Sequence, residues 1–186
     1  MATSIFNFDR ALNALLYVAN RLERRDIHKI FKILYFADMS HLYKYGRAIT
    51  GDKYIAMNYG PVPSLIFDMV KVVRGDSWYK DDDLKAFFAI KEENGKPRIL
   101  EPLRDANTDY LSDSDIIELN DSINRYGRLD FARMTQISHG SAWEKTRNNP
   151  DTNDISIEDI LQESGADEDY IKYIVENIAA QKELYR

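Results

Sequence analysis

The stretch from Lys32 to Ser64, KILYFADMSHLYKYGRAITGDKYIAMNYGPVPS, decides how this chain folds. Its helical part starts just upstream, where Ile27, Ile30, Leu34, Ala37 and His41 recur at alternating intervals of three and four behind Asp26, a good helix cap. His41 therefore belongs to an apolar stripe. Tyr45-Gly46 ends the helix, because glycine adopts the left-handed backbone past a helix end without steric cost. Thr50-Gly51-Asp52 carries the chemistry of a tight turn. Tyr54 to Tyr59 reads as a short strand. Pro61 then opens a third helix to about Arg74, since a first helical turn tolerates its missing N–H, and Gly75-Asp76 ends it.

Outward from this stretch the pattern is mostly helical. Asp9 caps a first helix with Leu12, Leu15, Leu16, Ala19 and Leu22 on one face. His28, beside Lys29 in a polar first turn, reads as surface. Ala86–Ile90 and Arg98–Leu100 flank an Asn94-Gly95 turn, a hairpin signal, with Pro97 and Pro102 keeping its second strand short. Ser112 and Asp115 have capping-box spacing ahead of the stripe Ile116, Leu119, Ile123 and Tyr126, which Gly127 closes. Asp130 caps a short helix bearing Phe131 and Met134, and His139-Gly140-Ser141 breaks into another with Trp143. The segment 146–155 reads as a polar loop. Ser156 with Asp159 and then Asp167 start two final helices, the last directing Ile171, Ile174, Val175 and Ile178 inward. The expectation is a mainly α (α+β) fold: one compact multi-helix domain over residues 1–186 with a small antiparallel β element.

Composition bounds the function. The 186 residues include 44% apolar ones, enough for a core, and no cysteine, so neither disulfides nor thiolate chemistry is available. No apolar run approaches the roughly 18 residues of a membrane span. The opening MATSIFNFDR lacks the basic-then-apolar pattern of a signal peptide. A cytoplasmic location is the plain reading. The net charge of -6 is uneven: residues 1–80 carry 12 Lys+Arg against 7 Asp+Glu, so the acidic excess lies in the second part. A basic first part could face nucleic acid, but scattered cations and an acidic whole count against it.

Catalytic signatures are few. There is no P-loop, dinucleotide-binding turn, serine elbow or HExxH. His41 and His139 could join Asp38 or Asp52 in a metal site or act in acid–base chemistry; a buried histidine holding helix and loop together is the simpler account. Trp143, four residues after His139 and on the same helix face, suits a core anchor. Five of the 12 tyrosines fall between Tyr35 and Tyr59. Tyrosine offers rigid apolar area with a polar tip, which suits interfaces as well as half-buried core positions. In the loop and strand, Tyr45, Tyr54 and Tyr59 are candidates for a protein interface, joined by Arg47, Asp52 and Lys53, which could form charge pairs across it. Asp52 could equally bond its own turn.

These residues carry a family resemblance. Leu34-Tyr35-Phe36-Ala37-Asp38, His41, Tyr45-Gly46-Arg47, Ile49-Thr50-Gly51-Asp52, Tyr54, Ala56 and Tyr59-Gly60-Pro61-Val62 form one block. Leu111-Ser112, Tyr126-Gly127, Thr135, His139 and Trp143 form a second. Together they resemble the Panacea domain, the SocA-like antitoxin domain, over nearly the whole chain. The resemblance implies a non-enzymatic bacterial or prophage antitoxin without cofactor or metal. Its partner would be a protein toxin encoded by the adjacent gene, neutralised by direct binding. Some members resemble proteolytic adaptors that deliver a toxin to a AAA+ protease, and some are described as phage-associated. In this frame Asp38, His41, Gly46, Gly51, Gly60, Pro61, His139 and Trp143 are structural motif positions. Leu129-Asp130-Phe131 departs from the pattern, standing where small residues are common. A metal-dependent hydrolase remains the reading from outside the binding-protein class.

Overall fold

The computed structural model describes residues 5–78 and 80–184, so the first four residues of the N-terminal stretch read above lie outside it. The chain is mainly α with a small β element: eight α-helices and two small antiparallel sheets among the described residues. The helices are α1 (Phe8–Arg21), α2 (Ile27–Tyr45), α3 (Ser64–Arg74), α4 (Asp113–Tyr126), α5 (Phe131–Ser138), α6 (Ser141–Arg147), α7 (Ile157–Glu163) and α8 (Glu168–Leu184). The strands are β1 (Tyr54–Met57), β2 (Gly60–Pro63), β3 (Phe88–Glu93), β4 (Lys96–Pro102) and β5 (Asp154–Ile155).

Helix α2 is the axis of the molecule. It is buried on nearly every side, from Ile27 to Leu42, because α1, α4, α5, α7 and β2 all pack on it. Apolar residues dominate its buried faces, and Lys29, Lys32, Asp38 and His41 are buried among them. It ends at Gly46 in the left-handed region, whose N–H donates to the Leu42 carbonyl. β1 pairs with β2 on one edge and β5 on the other. β3 and β4 form a separate hairpin through Asn94-Gly95. The capping box of Ser112 and Asp115 starts α4, and Asp130, Ser156 and Asp167 each accept a backbone N–H at the start of α5, α7 and α8.

Several local expectations are corrected. α1 starts one residue before Asp9: the cap is Asn7, whose side-chain Oδ1 accepts the Arg10 N–H at 2.9 Å. Pro61 opens no helix. It pairs with Ala56 in the β1–β2 hairpin, and α3 begins only at Ser64. The strand from Tyr54 ends at Met57, not Tyr59, because residues 58–59 make the turn. β4 runs over seven residues despite its prolines. A register shift between Lys91 and Glu92 lets the strand pass Pro97, and Pro102 stands at its end. The polar segment 146–155 is loop only in its middle: Thr146 and Arg147 end α6, and Asp154–Ile155 form β5, drawn in by pairing with β1.

Candidate functional site

The loop after α2 is built around two buried carboxylates. Asp38, on the inner face of α2, accepts the Thr50 N–H at 3.0 Å, the Thr50 hydroxyl at 2.5 Å and the Tyr54 phenol at 2.8 Å. Burial pushes the Asp38 carboxyl up, and these donors pull against that shift. Asp52 accepts from Lys53 N–H at 2.8 Å and from Leu65 and Ile66 N–H at 3.1 and 2.9 Å. It therefore caps α3 from a distance, supplying the oxygen that Pro63 lacks at the cap position. Burial lifts its carboxyl to about 6 even so. Gly51 sits at φ +68°, and a Cβ there would lie 2.1 Å from the Ile5 carbonyl oxygen, so the N-terminal segment packs directly on the turn.

A third carboxylate ties the loop to α4. His41 is fully buried; its Nδ1–H donates to the Arg47 carbonyl at 2.8 Å, and its Nε2 lies 3.0 Å from the Ser114 hydroxyl and 3.1 Å from Asp115 Oδ1. Arg47 reaches the same oxygen at 2.8 Å and donates to the Ser112 hydroxyl at 3.0 Å. Burial alone would raise the Asp115 carboxyl, but His41, the Ser112 N–H and Arg47 hold it down at about 2. Lys44 and the Ser40 hydroxyl bond the buried Glu118 in the same seam.

The interface candidates are thus sorted by burial. Tyr54 and Asp52 are only 3% and 5% exposed, because both face the loop's interior, and neither presents surface to a partner. Tyr45 and Tyr59 are 49% and 61% exposed, and Arg47 and Lys53 are part-exposed while pairing with Asp115 and Asp154. Tyr45 lies tilted against the His41 ring, centroids 4.5 Å apart, at the C-terminal end of α2. The Tyr59 carbonyl accepts from His28 Nε2 at 3.2 Å at the other end. At 1.5 Å rise per residue the two ends stand ~25 Å apart, so Tyr45 and Tyr59 belong to different patches.

The Tyr59 patch holds residues that sequence reasoning passed over. His28 is half-buried rather than free surface: Phe131 packs on its ring at 4.3 Å, and burial and nearby Lys32 push its imidazole down to about 4. Tyr59 meets Phe131 edge-on at 5.4 Å, and Met57 is exposed beside them. No local signal in the sequence separates Phe131, which follows the Asp130 cap, from Ile27 and Ile157, which follow their own caps and are buried. Beneath lies Lys32, 1% exposed, whose amine donates to the Pro61 carbonyl at 2.6 Å. Gly60 leaves room for it, since a Cβ there would fall 2.9 Å from Lys32 Cε and 2.4 Å from Ser138 Oγ. No signal in the sequence marks Lys32 as buried. His139 stacks on Trp143 with centroids 3.6 Å apart, and the indole N–H donates to the Met57 carbonyl at 2.9 Å, fixing the β1–β2 turn. His139 itself precedes α6 rather than lying on it.

His41, His139 and Asp38 occupy three separate networks with no shared partner, and among the described residues no group of three His, Asp or Glu side chains could hold a metal ion. No helix among them is long and apolar enough to cross a membrane. The chain matches the family model described as antitoxin SocA-like, Panacea domain, over residues 30–144. It belongs to that family. The matched span runs from the first turn of α2 into α6 and includes all three carboxylate networks. No curated protein and no solved structure matches the chain.

Proposed function

We propose that this chain is the antitoxin of a bacterial or prophage toxin–antitoxin pair. It acts as one domain, in the cytoplasm, without cofactor or catalysis, by binding a protein toxin encoded by the adjacent gene. The observation that carries this reading is the family match over residues 30–144. The buried polar network supports it. Asp38, Asp52 and Asp115 hold the loop from both sides, and a rigid loop presents its exposed side chains at low entropic cost. The interface candidates are then Tyr45, Arg47, Lys53 and Tyr59. Co-expression with the adjacent gene product tests the reading: growth rescue with a co-purifying complex is expected, and a harmless neighbour that forms no complex would sink it.

A second reading has one observation in its favour. Tyr43, Tyr170 and Tyr173 form a ring-to-ring cluster where α2 meets α8, away from the Tyr59 patch. Two separate aromatic patches suit an adaptor holding a toxin on one and a AAA+ protease on the other. Toxin lifetime decides this, since an adaptor shortens it and a stoichiometric inhibitor does not.

A further inference from the structure

Two cavities of about 780 and 490 Å³ open side by side and share Ile27, His28 and Tyr59. The larger lies between the start of α2, the β3–β4 hairpin and α5, the smaller between α2, α3 and the β1–β2 hairpin. Tyr59 is the ridge between these two halves of a single groove. Its floor is apolar, with Leu129 and Met134 on one side and Val62 and Phe67 on the other. Tyr59 and Phe131 stand out of it, 61% and 54% exposed.

The wall of the larger cavity is basic although the chain is acidic overall. Arg24 and Arg74 are already neutralised, by Asp26 with Glu93 and by Asp76. Lys96 and Arg98 are exposed and, among the described residues, pair with no carboxylate. Among the described residues, Lys29 bonds the Gly127 carbonyl, at 3.0 Å, and no carboxylate. Unpaired cations beside an apolar floor attract carboxylates and apolar side chains together.

We propose that this groove docks an acidic segment of a protein partner, with an aromatic or aliphatic side chain seated on either side of Tyr59 and Asp or Glu facing Lys96 and Arg98. A nucleic acid fits less well. The floor offers little to a phosphodiester chain, and Asp26 and Asp130 line the same wall. The inference rests on the antitoxin reading only for the identity of the partner, the toxin.

The test is selection from a displayed random peptide library on the full chain, with a labelled single-stranded oligonucleotide as the competing probe. Selected peptides should combine Asp or Glu with aromatic or aliphatic residues. The Lys96→Glu/Arg98→Glu double variant and Phe131→Ala should each weaken them about tenfold or more. Tyr110→Ala, exposed elsewhere, should not. Melting curves identify any variant that fails to fold, and Lys96→Gln/Arg98→Gln then carries the charge test. No selected peptide, peptides without acidic residues, unchanged binding to the groove variants, or binding of the oligonucleotide alone would overturn the proposal. Growth rescue separates the two readings. Equal rescue by wild type and groove variants without peptide selection leaves the antitoxin standing and removes the groove. The expected peptide pattern with no toxin neutralised does the reverse.

Discussion

Asp38 and Tyr54 meet inside the protein, 16 residues apart in sequence, with the phenol donating to Asp38 Oδ2 at 2.8 Å. Both are nearly inaccessible to water. The bond closes the loop between α2 and β1, and it changes what a tyrosine in this loop means. Tyr54→Phe should leave Asp38 one donor short and cost about 1–3 kcal/mol. That corresponds to a fall in Tm of several degrees for a chain of this size. Asp38→Ala, which strands the Thr50 N–H, Thr50 hydroxyl and Tyr54 phenol together, should cost more. Any loss of neutralisation in Tyr54→Ala should then track lost folding. A folded Tyr54→Ala with full Tm would refute this account.

Gly51 and Gly95 both lie at positive φ, +68° and +70°, but only one is enclosed. A methyl at Gly51 would collide with the Ile5 backbone, whereas nothing lies within 4 Å of one at Gly95. Gly95→Ala should cost only the left-handed strain, ~1 kcal/mol. Gly51→Ala should cost clearly more, because backbone on both sides must move. Urea denaturation of the two variants measures the difference directly, and equal costs would mean the N-terminal segment does not pack on the turn.

The helix ends were legible because their chemistry is local: Gly46 past α2, Ser112 with Asp115 at α4, Asp130 at α5. Pro61 was not, because β2 rather than helix is chosen by pairing with Ala56 and no local pattern expresses that. The same limit applies to the site. Tyr54 and Tyr59 look alike in sequence, yet one turns to Asp38 and the other to solvent. His28 reads as polar surface until Phe131, from a distant helix, packs on it. Residue type named the candidates; tertiary contacts decided which of them a partner could touch.

Asp115 serves two helices at once. Its Oδ2 closes the capping box on the Ser112 N–H, and its Oδ1 faces His41 and Arg47. Asp115→Ala should lose the cap, ~1 kcal/mol, and leave Arg47 without its buried partner, for a total of about 2–4 kcal/mol. The sign with pH follows from a carboxyl held at about 2 against an ordinary 3.8. Its stabilising effect is present above pH 3.8 and is lost as pH falls towards 2. Hydrogen exchange in residues 46–53 should rise in the variant. Exchange confined to α4 would show that the loop does not depend on this clip.

Lys32 carries a cost that pH can remove. It is buried with a carbonyl as its bonding partner, and its neighbours His28 and His139 are themselves potential cations. Burial lowers its amine from 10.5 to about 7. Between these values the unfolded chain holds a proton that the folded chain does not, so stability from this group rises with pH from about 7 to 10.5 and is at its lowest below 7. Lys32→Met removes the charge but leaves the Pro61 carbonyl without its donor, about 1–3 kcal/mol. Measured against wild type, the variant should therefore be most favoured at pH 6 and lose that advantage steadily up to pH ~10. The measurement is urea denaturation of both proteins across the range. A difference between them that does not change with pH would show that Lys32 stays charged in the fold, and a carboxylate would then have to reach it.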